Sequence, residues 1–103
     1  MTLYDLAAVI RSKNAGPFTL TIDLLFGSAA DMERALRAPG LQTGSIADLY
    51  GVDENSVRIH QLPTACAVKV TLPRQASSGS AQDRDVYGSQ QHMLLGLVPV
   101  SEE

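Results

Sequence analysis

Thr19-Leu20-Thr21-Ile22-Asp23-Leu24-Leu25-Phe26 is the stretch on which the fold turns. Leu20, Ile22, Leu24 and Phe26 alternate with Thr19, Thr21, Asp23 and Leu25, which is the period of two of a half-buried strand. Downstream, Gly27-Ser28 ends that strand and opens a helix. Ser28 is placed to cap it, Asp31 falls in the first turn, and Met32, Ala35 and Leu36 recur at helical spacing. Pro39-Gly40 stops it. A second helix follows, capped by Thr43 or Ser45, with Ile46, Leu49 and Tyr50 as its apolar face and Gly51 just past its end. Asp53-Glu54-Asn55-Ser56 is a polar turn.

Beyond that turn, Val57 and Ile59 alternate with Arg58 and His60, and Val68, Val70 and Leu72 alternate with Ala67, Lys69 and Thr71. Leu62-Pro63-Thr64-Ala65 turns the chain between them, giving a hairpin with a loop longer than two residues, and Pro73 ends it. Residues 75–84 are polar with short side chains, the composition of a flexible loop. Met93 to Val100 is apolar enough to form a last strand. Upstream of the deciding stretch, Leu3, Leu6 and Ile10 share a helical face, whereas Val9 and Ile10 suit the end of a strand. We read residues 3–10 as an extended segment entering a polar loop at Arg11–Phe18.

Together these elements predict a single α+β domain over residues 1–103. Its sheet is mostly antiparallel with the helices on one face, ferredoxin-like or a variant of that arrangement. Leu20, Ile22, Leu24, Val57, Ile59, Val68 and Val70 face the helices. The opposite face carries Thr19, Thr21, Asp23, Arg58, His60, Lys69 and Thr71, and is either solvated or pressed against a partner.

With 103 residues, no Trp, two Phe and three Tyr, the core is thin and filled by Leu, Val, Ile and Ala. A homo-oligomer or a larger protein partner is expected on the surface-to-volume argument. The net charge of −3 is spread without a basic block, which argues against nucleic acid. The single cysteine, Cys66, cannot make an internal disulfide, and no apolar run approaches the ~20 residues that span a bilayer. A soluble cytoplasmic chain is expected, with no membrane contact and no cofactor.

Two clusters concentrate chemistry. In Arg11-Ser12-Lys13-Asn14-Ala15-Gly16-Pro17-Phe18, Arg11 can fork two hydrogen bonds onto a carboxylate or phosphate, Lys13 adds a charge, and Gly16 admits close backbone approach. The same residues also describe a polar turn stiffened by Pro17. In Asp85-Val86-Tyr87-Gly88-Ser89-Gln90-Gln91-His92, Tyr87, Gln90, Gln91 and His92 offer phenol, amide and imidazole groups, with His92 the candidate acid or base. The alternative there is a loop that satisfies its own backbone. His60, His92, Cys66, Asp83 and Asp85 lack the short spacing of a zinc site, so no metal is expected. Cys66, between alanines at a strand start, reads as a small buried residue.

Three motifs carry a family resemblance across almost the whole chain. They are Leu-Tyr-Asp-Leu-Ala at 3–7 with Ile-Arg-Ser-Lys-Asn-Ala-Gly-Pro-Phe at 10–18, Lys-Val-Thr-Leu-Pro-Arg at 69–74, and Asp-Val-Tyr-Gly-Ser-Gln-Gln-His at 85–92. The chain resembles the bacterial domain-of-unknown-function family 4387, which brings no assigned activity. Arg11, Ser12, Lys13 and Gly16 are also similar to an Arg-Ser motif with a nearby Lys-Gly in another family. That is the small ferredoxin-fold C-terminal domain of the acyclic terpene utilisation protein A family, where the intervening spacing differs. This likeness implies a small subunit beside a larger protein, in the catabolism of organic acids or their coenzyme A thioesters. Two functions are therefore expected. One is an accessory subunit or interaction module; the other is a small enzyme or ligand-binding protein holding a carboxylate or acyl thioester between the Arg11–Phe18 and Asp85–His92 loops.

Overall fold

The computed structural model describes residues 1–16, 18–73 and 92–100. The expected loop at 75–84 and the segment Asp85–Gln91 lie outside the described residues. The elements are α1 (Leu3–Leu6), β1 (Val9–Asn14), β2 (Thr19–Leu25), α2 (Ala29–Leu36), α3 (Thr43–Tyr50), β3 (Arg58–Leu62), β4 (Ala67–Pro73) and α4 (His92–Gly96), with a 3-10 turn at Glu54–Ser56 before β3. The four strands form one sheet in the order β1-β2-β4-β3, every neighbouring pair antiparallel. This is an α+β fold. Two hairpins flank the α2–α3 pair, a connectivity that departs from the βαββαβ order of the ferredoxin-like sandwich.

The deciding stretch is β2, at the centre of the sheet. Its inward residues Leu20, Ile22 and Leu24 meet Leu72, Val70 and Val68 of β4 across the ladder, and all six are buried. Met32 and Ala35 of α2, Ile46 and Ala47 of α3, and Leu95 of α4 close over them, with Val57 and the partly buried Ile59 completing the core. Ser28 caps α2, its hydroxyl accepting the Asp31 N–H at 3.2 Å. Gly51 ends α3 at φ 69°, a left-handed position that glycine takes without a Cβ clash. Neither Thr43 nor Ser45 caps α3; Gln42 stands at that position. Leu49 is 39% exposed, and Ala47 is buried on the face where Leu49 was expected.

Three segments differ in secondary structure from the expectation. Residues 3–6 are helical rather than extended, because Asp5 accepts the Thr2 N–H at 2.8 Å and the Thr2 hydroxyl at 3.2 Å, fixing the first turn. These bonds also hold the Asp5 carboxyl below its ordinary pKa, the Thr2 N–H being the larger cause. Arg11–Asn14 is not a loop: it is the last four of the six residues of β1, registered against Leu20–Asp23. Only the following residues turn, with the Ala15 N–H donating to Thr19 O at 2.9 Å and Gly16 at φ 110°. Charged side chains on an edge strand imitate a turn in sequence, although charge is what keeps such an edge from pairing wrongly.

The third correction is at the C-terminal end. Met93–Val100 does not form a fifth strand; Met, Leu and Leu favour α4, and Pro99 has no N–H for a ladder. The chain then lies against the N-terminal residues, with the Leu3 N–H donating to Val98 O at 3.0 Å and the Val100 N–H to Met1 O at 2.9 Å. Leu95, Val98 and Val100 are thereby buried beside Leu3 and Leu6. Cys66 is half-buried rather than enclosed, and it precedes β4, closing the β3–β4 turn at φ 49°.

Candidate functional site: the outer face of the sheet

Successive strand residues point to opposite faces, and in β1 this divides the first polar cluster. Ile10, Ser12 and Asn14 register with the inward Leu24, Ile22 and Leu20, and Ser12 is buried. Arg11 and Lys13 register with Asp23 and Thr21 and point outward, both exposed. Thus the two cations share one side of the sheet. Ser12 and Asn14 share the other, where α4 rests against β1.

Reading the pairing across all four strands gives the outward face as rows. The first is Val9, Leu25, Ala67 and Leu62; the second Arg11, Asp23, Lys69 and His60; the third Lys13, Thr21, Thr71 and Arg58. The apolar first row is open at both ends, Val9 being 47% and Leu62 45% exposed. The next two rows hold Arg11, Lys69, Lys13 and Arg58 against Asp23 alone, a formal +3 on a chain whose net charge is −3. The elements covering the inward face are the reverse. Asp5, Asp31, Glu33, Asp48, Asp53 and Glu54 stand there against Arg34 and Arg37.

Within the cationic rows, Arg11 Nε lies 3.6 Å from Asp23 Oδ2, with the Arg11 side chain 68% exposed. A pair so solvated contributes about 0–1 kcal/mol to stability. Arg58 donates to Asn55 O at 2.8 Å, anchoring its head beside the 3-10 turn. Phe18, at the β1–β2 turn, is 60% exposed. Cations beside a half-open apolar row can make charge-assisted hydrogen bonds to carboxylates.

On the inward side, the Leu95 N–H donates to the Tyr50 hydroxyl at 3.2 Å, joining α4 to α3. Burial pushes the Tyr50 phenol up to about 12, against a smaller downward pull from that bond. His92 opens α4. Gly16 sits in the β1–β2 turn, and Tyr87, Gln90 and Gln91 lie outside the described residues. Among the described residues, no three His, Cys, Asp or Glu side chains gather as metal ligands would. Nor is any helix among them long and apolar enough to cross a membrane.

Alternation had already placed Arg58, His60, Lys69 and Asp23 on the outward face. What it missed was that Arg11 and Lys13 join them, together with the apolar row ending in Val9 and Leu62. The missed signal was Val9-Ile10-Arg11-Ser12-Lys13-Asn14 itself, in which Val9, Arg11 and Lys13 alternate with Ile10, Ser12 and Asn14.

A family model described as a domain of unknown function, DUF4387, matches residues 3–98. No curated protein and no solved structure matches the chain.

Proposed function

The chain belongs to the DUF4387 family, and we propose that it is an accessory subunit or interaction module that docks a larger, acidic protein partner. The observation that carries this reading is the outward sheet face. Among the described residues it holds four cations to one carboxylate, while the opposite layer is acidic. Like charges gathered on one face cost self-repulsion within the chain, and a carboxylate-rich partner relieves that repulsion. The apolar row beside them supplies area that excludes water. The setting is cytoplasmic catabolism of organic acids or acyl coenzyme A esters; it rests on the likeness of Arg11, Ser12, Lys13 and Gly16 to the acyclic terpene utilisation family motif.

The small-molecule reading draws on Asp85–His92, of which residues 85–91 lie outside the described residues; among the described residues, β1 turns Arg11 and Lys13 to the face of the sheet opposite α4. An anion-binding role is therefore assigned to the outward face, toward carboxylates of a partner. The test is purification of the tagged chain from its native cells at low salt. A larger chain in fixed stoichiometry, released by salt, is the expected result; a chain that emerges alone counts against the proposal.

A further inference from the structure

Among the described residues the sheet has a second open surface, the outer edge of β3. The main-chain bond from Phe26 N–H to Cys66 O, 2.9 Å, fixes the phase of the β2–β4 ladder. Opposed residues of an antiparallel pair alternate between exchanging both bonds and exchanging none. Continuing that register makes Leu24–Val68, Ile22–Val70 and Leu20–Leu72 the bonded pairs. Ala67, Lys69 and Thr71 therefore turn their main-chain groups toward β3, where they meet Leu62, His60 and Arg58. Ile59 and Gln61 are left with N–H and C=O directed away from the sheet. Every residue of β3 except Ile59 is exposed, so this edge is a template for another strand.

The other edge differs. The Ala15 N–H to Thr19 O bond fixes β1 in the same way and directs the main chain of Ile10, Ser12 and Asn14 outward. There Ser12 is buried and α4 rests on the strand. A two-fold pairing centred on β1 would also set Arg11 beside its own copy.

We propose that β3 pairs antiparallel with β3 of a second copy, about a two-fold axis at His60, making one continuous sheet. Ile59 then faces Gln61 of the second copy and Gln61 faces its Ile59, each pair exchanging both main-chain bonds. His60 meets its copy as a pair exchanging none, with Cα atoms ~4.5 Å apart. Arg58 falls opposite Leu62 rather than opposite another cation. The two Arg58 residues stand ~13 Å apart at the strand's rise per residue, beyond the ~8 Å screening length at physiological salt. The register thus keeps each Arg58 away from its copy. The pairing stands whatever the outward face binds, and it sets two such faces side by side on one surface.

The register makes the test specific. A disulfide needs Cα atoms ~4.4–6.8 Å apart, so in a Cys66→Ser background His60→Cys should oxidise to a covalent dimer on a non-reducing gel. Leu62→Cys, ~13 Å from its copy, should not. Selective linking at position 60 supports the proposal; linking at neither position, or equally at both, overturns it. Gln61→Pro removes an N–H that β4 does not use, so the folded monomer is preserved. In sedimentation at about 100 µM, where mass action favours association, the wild type should run at twice the chain mass and Gln61→Pro at once the chain mass. A wild-type monomer, or a Gln61→Pro dimer with unchanged circular dichroism, overturns the proposal. None of these results bears on the partner test above, which reads a larger companion chain.

Discussion

Ser12 and Lys13 are neighbours in sequence, yet one is buried and the other exposed. The reason is the strand's period of two, which turns Lys13 to the outward face and Ser12 to the packed one. Tyr50 is a second residue whose setting has a measurable consequence. Its phenol keeps its proton to about 12 in the folded chain, whereas the unfolded chain releases it near its ordinary value of 10. Between those values the unfolded state binds fewer protons, so stability is full below pH 10 and falls as pH rises toward 12. The loss is about 1–2 kcal/mol once partial exposure is discounted. Tyr50→Phe removes this alkaline loss, and at pH 7 it costs about 1 kcal/mol for the bond from Leu95. Urea unfolding at pH 8 and pH 11 checks both statements. Arg11 gives a third residue-scale expectation. In a thermal-shift assay with di- and tricarboxylates and coenzyme A esters, Arg11→Ala should behave as wild type. A ligand shift that Arg11→Ala abolishes would restore the small-molecule reading.

Elements differed in how plainly they could be read. β2, β3 and β4 were legible because each alternates apolar and polar residues and is bounded by Gly or Pro. α2 was legible because Ser28 and Pro39-Gly40 bracket a helical pattern. Ser28→Ala should lower stability by about 1 kcal/mol through loss of the Asp31 N–H partner, measurable as a reduced urea midpoint with an unchanged slope. β1 was hidden because its outward cations and the Gly16 turn read together as one polar loop. The capping pair Thr2 and Asp5 was the overlooked sign of α1. α4 was hidden because Met93–Val100 is apolar throughout, and an unbroken apolar run does not distinguish helix from strand. Here Pro99 and the contact with Met1–Leu3 decide it. The site shows the same division: Arg58, His60 and Lys69 were assigned to the outward face from the sequence, whereas Arg11 and Lys13 needed β1 to be recognised.

At the scale of the molecule, charge and architecture coincide. Among the described residues the layer of helices is acidic, the opposite sheet face is cationic, and the apolar row from Val9 to Leu62 crosses all four strands at one end. A thin core under one face of a sheet leaves the other face for association, and the inferred β3 pairing would present that face twice. Two linked copies raise avidity for a partner carrying two acidic patches without any new contact. Association steered by these charges should slow as salt rises, because exposed charges are screened beyond the Debye length.

The most direct measurement is the affinity of the chain for the larger partner that the co-purification test is expected to yield, comparing wild type with Arg11→Gln/Lys13→Glu. That double substitution removes the formal +3 of the outward face and leaves the buried side of β1 untouched. The account predicts at least a tenfold loss of affinity, or about 1.4 kcal/mol, with unchanged circular dichroism and a flattened salt dependence. Equal affinity of the folded variant and the wild type would contradict it.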